Sequence, residues 1–561
     1  MDLSNLFVIF AVAVCAIAAA KKYKGGWALN KFLDQKPKIY YIIAAVLFII
    51  GIAVRLIELG SLPGGINQDG AMGAVDAYAL SMHGTDRFGT QFPVQFYAWG
   101  IGQMSVLLSY LMVPFIKLFG LNEVTVILPI ALASIAALWV MFKFTESVFG
   151  KGAALIVLAF LVINPWHIMQ SRWTIDCNIF PHFVLFSLYF LYLGLTKKGW
   201  YLYLSMAFFG LSMYGYGIAF YFVPILLLTL CTYLLIKKHL TIKTAAICAL
   251  TYLVVAWPIF ALMIINFFKL PTLKFGFITI QYFPDTIRTN DILFFSKDIF
   301  QQLLLNIQAL ANTAFLQKPD SPWNTINEYG PYYLFSLPFT IVGFVYIINK
   351  FKKSEKSKKL GIYIVIAWLF ASILSGLITN NVLVNRMNMI FYPLILITGI
   401  GIYFVAVKLS KIKILYILIA AVYVFSFVNF DLAYFGYHGK ELGDSFFVGI
   451  GTAIEKAESY DPDVIYVSTY GKGMQIAELM TMFYSKIDSR YYQGKKEEYS
   501  KKTGKKQLPY GQRYQYYDMS QIRPEAKPGV AYVYFKDEEQ YFDANLFNIT
   551  YYNNYCLAIP K

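Results

Sequence analysis

Apolar stretches, most of them about 17–22 residues long, alternate with short polar connections along most of the chain, and each is of a length to cross a hydrocarbon core of roughly 30 Å. They fall near 5–20, 38–57, 124–142, 152–168, 178–196, 200–213, 217–236, 244–265, 332–349, 361–378, 390–407 and 414–430, and are essentially free of Asp, Glu, Lys and Arg. The pattern predicts a polytopic all-α membrane protein with about 12 transmembrane helices. Past residue 430 the pattern changes. Charges become mixed, Val464-Ile-Tyr-Val-Ser-Thr469 and Val530-Ala-Tyr-Val-Tyr-Phe535 read as buried strands, and helical periodicity appears at 447–458 and 472–486. Residues 431–561 are therefore expected to form a small α/β domain outside the membrane, with the lysine-rich stretch 495–506 as a surface loop. No internal repeat is visible.

Composition agrees with the pattern. The 561 residues are 58% hydrophobic, 18% aromatic and only 14% charged, too few polar residues to coat a water-soluble fold. The net charge of +16 acquires meaning from its location. Twenty-two of the 48 basic residues lie in clusters between spans: Lys21 to Lys38, Lys143 and Lys151, Lys197 and Lys198, Lys237 to Lys243, Lys350 to Lys359, and Lys408 to Lys413. Positive-inside bias makes these cytoplasmic. The charge is then an orientation signal, with no implication of nucleic acid as a partner, and the opposite face is close to neutral. A further apolar run, 104–119, would break this parity if it crossed. At about 16 residues, with Pro114 near its end, it is also short for a span and is expected as a juxtamembrane helix outside. The extracytoplasmic segments are then 58–123, 169–177, 214–216, 266–331, 379–389 and the C-terminal domain. Met1 to Ala20 has its lysines after the apolar run, so it reads as a retained first span. Five cysteines without CxxC spacing argue against a disulfide framework or zinc site.

Chemically rich segments converge on the outer face. Behind Pro63-Gly-Gly, the first loop carries Asn67, Asp69, Asp76 and Tyr78. Asp69 returns to the membrane surface, where a carboxylate facing a cavity is suited to act as general base toward a hydroxyl; it is equally placed to cap a helix over 70–82. Further on, Tyr97, Trp99, Gly100 and Gly102 suit either a grip on a ring-shaped ligand or interfacial anchoring. In the second segment, Trp166, His167, Arg172 and Asp176 stand close together. Arg172 and Asp176 are four apart and pair if helical, or else the planar fork of Arg172 meets a phosphate. His167 and His182 lack metal-ligand spacing and read as packed or hydrogen-bonded histidines. The third segment, Asn380 to Asn388, offers Asn385, Arg386 and Asn388 at a helix mouth.

Together these residues resemble the GT-C-type membrane glycosyltransferases, in particular bacterial relatives of the protein O-mannosyltransferases and the lipid A aminoarabinose transferase. The resemblance covers about residues 38–430. It rests on Asn67-Gln-Asp69 in a long first loop, Phe115-Ile-Lys-Leu-Phe-Gly120-Leu-Asn, the Asn164-Pro-Trp to Arg172 to Asp176 segment, and Asn385-Arg386. Residues 1–37 are then an extra N-terminal span and cytoplasmic loop, 38–430 the catalytic transmembrane domain, and 431–561 the external domain common in the group.

The resemblance implies transfer of a sugar from a polyprenyl-phosphate donor to an acceptor hydroxyl of a glycan, glycolipid or protein. The reaction would be inverting and would take place on the extracytoplasmic side of the plasma membrane. It implies Asp69 as catalytic base and Arg172 and Arg386 at the donor phosphate. Asn67, Asp76, Tyr78, Tyr97, Trp99, Trp166, His167, Asp176 and Asn388 become sugar or acceptor contacts. An Asp-Glu pair is usual in the mannosyltransferases, whereas Gly70 follows Asp69 here. Some relatives hold a divalent cation with several carboxylates, for which Asp69, Asp76 and Asp176 are available, but no metal cofactor is expected. The alternative is a transporter or flippase of lipid-linked sugars. Such proteins keep ionisable residues midway through their spans, and the scarcity of charge there favours the enzyme.

Overall fold

The computed structural model describes residues 3–19, 29–99, 102–284, 299–326, 328–379 and 382–561. Lys21, Lys22, Lys24, Gly100, Asn380 and part of the expected loop 266–331 lie outside these. The helices of the first part are α1 (Leu3–Ala19), α2 (Leu29–Gln35), α3 (Pro37–Leu56), α4 (Gln68–His83), α5 (Leu107–Phe119), α6 (Glu123–Phe149), α7 (Lys151–Val162), α8 (Pro165–Gln170) and α9 (Asp176–Thr196). They continue as α10 (Tyr201–Ser212), α11 (Ala219–Ile236), α12 (Ile242–Phe267), α13 (Ile299–Leu310), α14 (Leu337–Lys353), α15 (Lys356–Ile378), α16 (Phe391–Lys408) and α17 (Lys413–Ala433). Among the described residues nine of these helices, some with short 3₁₀ or π extensions, are long and apolar enough to cross a membrane.

The remaining expected spans, near 5–20, 152–168 and 200–213, correspond to the shorter helices α1, α7 and α10. The stretch 152–168 is divided because Asn164 turns the chain and caps α8, accepting the His167 N–H at 3.0 Å, while Pro165 occupies the first helical position. Helix α5 has 13 residues, about 20 Å of rise, and packs with α4, α6 and α9. Glycines bring the long helices together: a Cβ on Gly343 of α14 would lie 1.9 Å from the Ile397 carbonyl oxygen of α16, and one on Gly401 would lie 1.9 Å from that of Phe339. Such backbone approach is the usual device for helix packing in lipid.

The basic clusters and the candidate chemistry sit at opposite ends of the same helices. Helix α9 begins at Asp176 and runs out at Lys197, and α15 begins among the lysines at 356–359 and ends two residues before the 380–388 segment.

Helical structure continues past the expected boundary at 431, through a π-helical turn (Tyr434–His438) into α18 (Gly439–Ser445). The domain beyond contains α19 (Ile450–Ser459), α20 (Met474–Tyr484) and strands β5 (Val464–Ser468), β6 (Tyr514–Tyr517), β7 (Val530–Phe535), β8 (Phe547–Tyr552) and β9 (Tyr555–Pro560). Both expected strands and both expected helices are present. The sheet order is β6-β5-β7-β9-β8, with β5 parallel to β6 and β7, and β9 antiparallel to its neighbours. This domain does not stand apart from the helices. Ile66, Ala74, Val126 and Ile130 share one apolar core with Ile454, Met480 and Phe483. Two small hairpins complete the fold, β1 (Phe96–Ala98) with β2 (Gly102–Met104), and β3 (Leu273–Phe275) with β4 (Ile278–Ile280).

Candidate active site

Helix α4 begins with a division of labour. Asn67, not Asp69, is its N-cap, accepting the Gly70 N–H at 2.9 Å. Asp69 lies in the first turn, where the helix dipole favours its negative charge. Its Oδ1 accepts the Trp99 indole N–H at 3.0 Å. Trp99 stands just past β1 with φ +54°, a backbone region that a bulky residue occupies only when its surroundings hold it there. Gly70 explains itself through the packing. A Cβ there would meet the Thr174 carbonyl oxygen at 2.6 Å and the Asn67 Oδ1 at 2.8 Å. A glutamate after Asp69 has no room, because the start of α4 lies directly against the strand-like lead into α9.

That lead delivers Asp176, at the first position of α9, whose Oδ2 accepts the Ser105 N–H at 3.3 Å. Asp176, Asp69 and Arg386 all lie within electrostatic range of the Cys177 side chain. Two carboxylates, a half-buried guanidinium and an indole thus gather where α4, α9, the β1–β2 hairpin and the 382–388 segment meet. The last of these is anchored by Asp320, whose Oδ2 accepts the Val384 N–H at 2.6 Å. Among the described residues, no three His, Cys, Asp or Glu side chains are grouped to hold a metal ion.

The other expected contacts form the frame behind this mouth. Trp166 donates to Asn388 Oδ1 at 2.8 Å, and the Asn388 amide donates to Asn178 Oδ1 at 2.8 Å and to the Cys177 carbonyl at 3.3 Å. Both are buried, so they fix α9 against the 388–390 turn and do not face a ligand. His167 belongs to a second buried network. Arg55 donates to its Nδ1, and its Nε2 lies 2.8 Å from the Tyr392 hydroxyl, which lies 2.6 Å from His182 Nδ1. Because an arginine only donates, His167 carries its proton on Nε2 and gives it to Tyr392, whose own O–H is directed to His182.

Arg172 is 1% exposed. It does not pair with Asp176, since residues 171–175 are not helical. Its guanidinium donates to the carbonyls of Leu62 (2.7 Å from Nη2, 3.2 Å from Nε) and Glu58 (2.9 Å), and lies over the Phe435 ring. The expected phosphate contact is revised accordingly: Arg172 clamps the turn that leads from α3 to Asn67.

Asp76, Tyr78 and Tyr97 lie away from the mouth. Asp76 is buried, accepts the Arg87 backbone N–H at 3.0 Å and forms an ion pair with its guanidinium. Burial raises its carboxyl to about 7 against the pull of Arg87. Tyr78 packs into the core shared with the C-terminal domain, and Tyr97 stacks on Phe283 with ring centroids 6.2 Å apart.

Comparison with known proteins places this arrangement. Residues 104–265 match the family model of dolichyl-phosphate-mannose-protein mannosyltransferases. The whole fold is similar to ArnT from Cupriavidus metallidurans, solved in the apo state (13% identity, 92% of this chain and 97% of that one, TM-score 0.52) and bound to undecaprenyl phosphate (12%, 92% and 97%, TM-score 0.53). The archaeal oligosaccharyltransferase AglB from Archaeoglobus fulgidus, in complex with an inhibitory peptide and a dolichol-phosphate, aligns over 80% of this chain and 64% of its own at 13% identity and a TM-score of 0.47. No curated protein sequence matches significantly. This chain has the fold of ArnT. The matched family is described as a mannosyltransferase of dolichyl-phosphate-mannose, and ArnT has been seen with undecaprenyl phosphate bound.

Within this fold, sequence reasoning missed Arg55. It stands inside the apolar stretch 38–57, is completely buried and organises the His167–Tyr392–His182 chain. The signal was available, since a lone arginine near the end of an apolar helix needs internal partners.

Proposed function

We propose that this protein transfers a sugar from a polyprenyl-phosphate-linked donor to an acceptor hydroxyl on the extracytoplasmic side of the plasma membrane, inverting the anomeric carbon. The observation that carries the reading is the Asp69 carboxylate, oriented by Trp99 and sharing one mouth with Asp176 and Arg386 at the ends of apolar helices. The acceptor oxygen attacks the anomeric carbon as its proton passes to Asp69. The bond between that carbon and the phosphate oxygen breaks, and polyprenyl phosphate leaves with the added negative charge, which Arg386 stabilises. Asp176 contributes polar contact to sugar or acceptor, and Trp99 holds the base. Arg386 supplies the positive charge at the departing phosphate that a divalent cation would otherwise provide, so we read the reaction as metal-independent. The sidedness follows from the lysine clusters at the opposite helix ends.

The test is incubation of the purified chain in nanodiscs with a panel of polyprenyl-phosphate sugars and candidate glycan, glycolipid and protein acceptors, following release of polyprenyl phosphate. Consumption of one donor, unaffected by a chelator, is expected. If no donor is consumed with any acceptor, the reading fails.

A further inference from the structure

A cleft of about 800 Å³ opens where the C-terminal domain meets the first loop, with walls that include Phe88, Glu478, Tyr492, Gln493, Gln515 and Tyr517. We infer that this cleft binds a neutral oligosaccharide, which is the acceptor of the transfer reaction; the acceptor role rests on the function proposed above.

The lining is the argument. The volume is at the upper end for small-molecule sites and holds several sugar rings. Phe88 and Tyr517 are exposed and offer flat apolar faces, against which the C–H faces of a sugar ring pack. Gln493 and Gln515 each give one amide N–H to a backbone carbonyl, of Arg87 and of Gly511, which orients the remaining N–H and the amide oxygen as a donor and acceptor pair of the kind vicinal hydroxyls require. The floor adds the buried, mutually hydrogen-bonded hydroxyls of Tyr510 and Tyr516, 2.7 Å apart. Charge is nearly balanced, with Glu478 and Lys495 the sole acid and base among the lining residues. That lining does not suit a polyanion, and it lacks the deep apolar socket by which a peptide side chain is anchored.

The cleft is also tied to the proposed base. Phe88 from the first loop contacts Tyr492 of the C-terminal domain, ring centroids 6.2 Å apart, and the Gln493 amide donates to the Arg87 carbonyl at 2.9 Å. Arg87 pairs with Asp76, which stands two turns, about 10 Å, along α4 from Asp69. The cleft is thereby joined through Arg87 to the helix that carries the base.

The test uses the full chain in nanodiscs with maltohexaose, mannohexaose, chitohexaose and decaproline as probes, read by saturation-transfer NMR and calorimetry. Binding of at least one hexaose is expected, weakened about tenfold by Tyr517→Ala and by Gln515→Ala with thermal stability unchanged. Absence of hexaose binding at millimolar concentration, binding insensitive to both cleft variants, or cleft-dependent binding of decaproline alone would each overturn the inference. A protein that binds hexaose through the cleft but consumes no polyprenyl-phosphate donor leaves the cleft standing and removes the transfer reading. One that consumes donor while neither variant alters hexaose binding does the reverse.

Discussion

The indole N–H of Trp99 donates to Asp69 Oδ1 at 3.0 Å across 30 residues of the first loop. The loop thereby sets the direction of its own proposed base, since Asp69 rides on α4 and Trp99 on the β1–β2 hairpin. Because Asn67 satisfies the helix end, Asp69 is not needed as a cap. Asp69→Asn should therefore fold and bind donor normally while losing about 10²–10⁴-fold in turnover, the range of a general base. Trp99→Phe keeps a ring but removes the donor, and about a tenfold fall in kcat with little change in donor KM is expected. Steady-state transfer assays check both, and retained turnover in Asp69→Asn removes it as the base.

The two arginines assigned together from sequence should separate by experiment. Arg172→Ala leaves the Leu62 carbonyl without its donors, at a cost of roughly 1–3 kcal/mol, so its thermal stability should fall together with activity. Arg386→Ala should lose donor turnover well beyond any fall in its melting temperature. A stable Arg172→Ala protein with weakened donor binding alone would restore the direct phosphate role.

The legible part of this molecule was written in long repeats of one kind of residue. Eleven of the twelve apolar stretches each became a helix and the other, 152–168, was divided at Asn164, because burying backbone hydrogen bonds in lipid leaves a helix as the local solution. Asp69, Asp176 and Arg386 were legible as charged residues beside those stretches, where charge has few structural uses. Roles were harder to read than positions. Whether an arginine meets a phosphate or two carbonyls depends on the turn at 58–62, which no periodicity announces. Trp166 and Asn388 looked like ligand contacts because they are polar and near the mouth, yet they satisfy each other across 222 residues. Strands β6 and β8 were missed for a related reason. Tyr514 to Tyr517 sits at a sheet edge and Phe547 to Tyr552 is largely exposed, so neither carries the apolar run that marked β5 and β7.

Gly70 turns an apparent departure from the mannosyltransferase pattern into a measurable constraint. Its missing Cβ lets α4 approach Thr174, and the added atom at 2.6 Å from a backbone oxygen has no flexible neighbour to displace. Gly70→Ala should cost about 1–3 kcal/mol of stability and displace Asp69 from Trp99, with a loss of turnover of at least about tenfold. Gly70→Glu should be worse in both respects. Thermal unfolding followed by the transfer assay distinguishes the idea from a tolerant surface position, at which Gly70→Ala would be neutral or slightly stabilising.

Docking of the C-terminal domain on α4 should respond to acid through Asp488. Its carboxyl contacts His83 at 2.8 Å and Lys496 at 2.9 Å and accepts the Arg490 N–H. Burial alone would raise this group, but the Arg490 N–H, Lys496 and His83 outweigh it and hold the carboxyl below its usual 3.8. A carboxyl depressed by folding contributes stability that is complete above the unfolded value and disappears as pH falls through the folded one. Hydrogen-exchange protection at 83–90 and 486–493 should therefore keep its Asp488 contribution from neutral pH down to about pH 4 and lose it below. Asp76, raised to about 7, has the opposite sign, so the difference between wild type and Asp488→Asn at each pH isolates the Asp488 part. That difference should be present at pH 7 and vanish under strong acid. A difference that grows as pH falls would mean that the contact does not hold the domain through the ionised carboxylate.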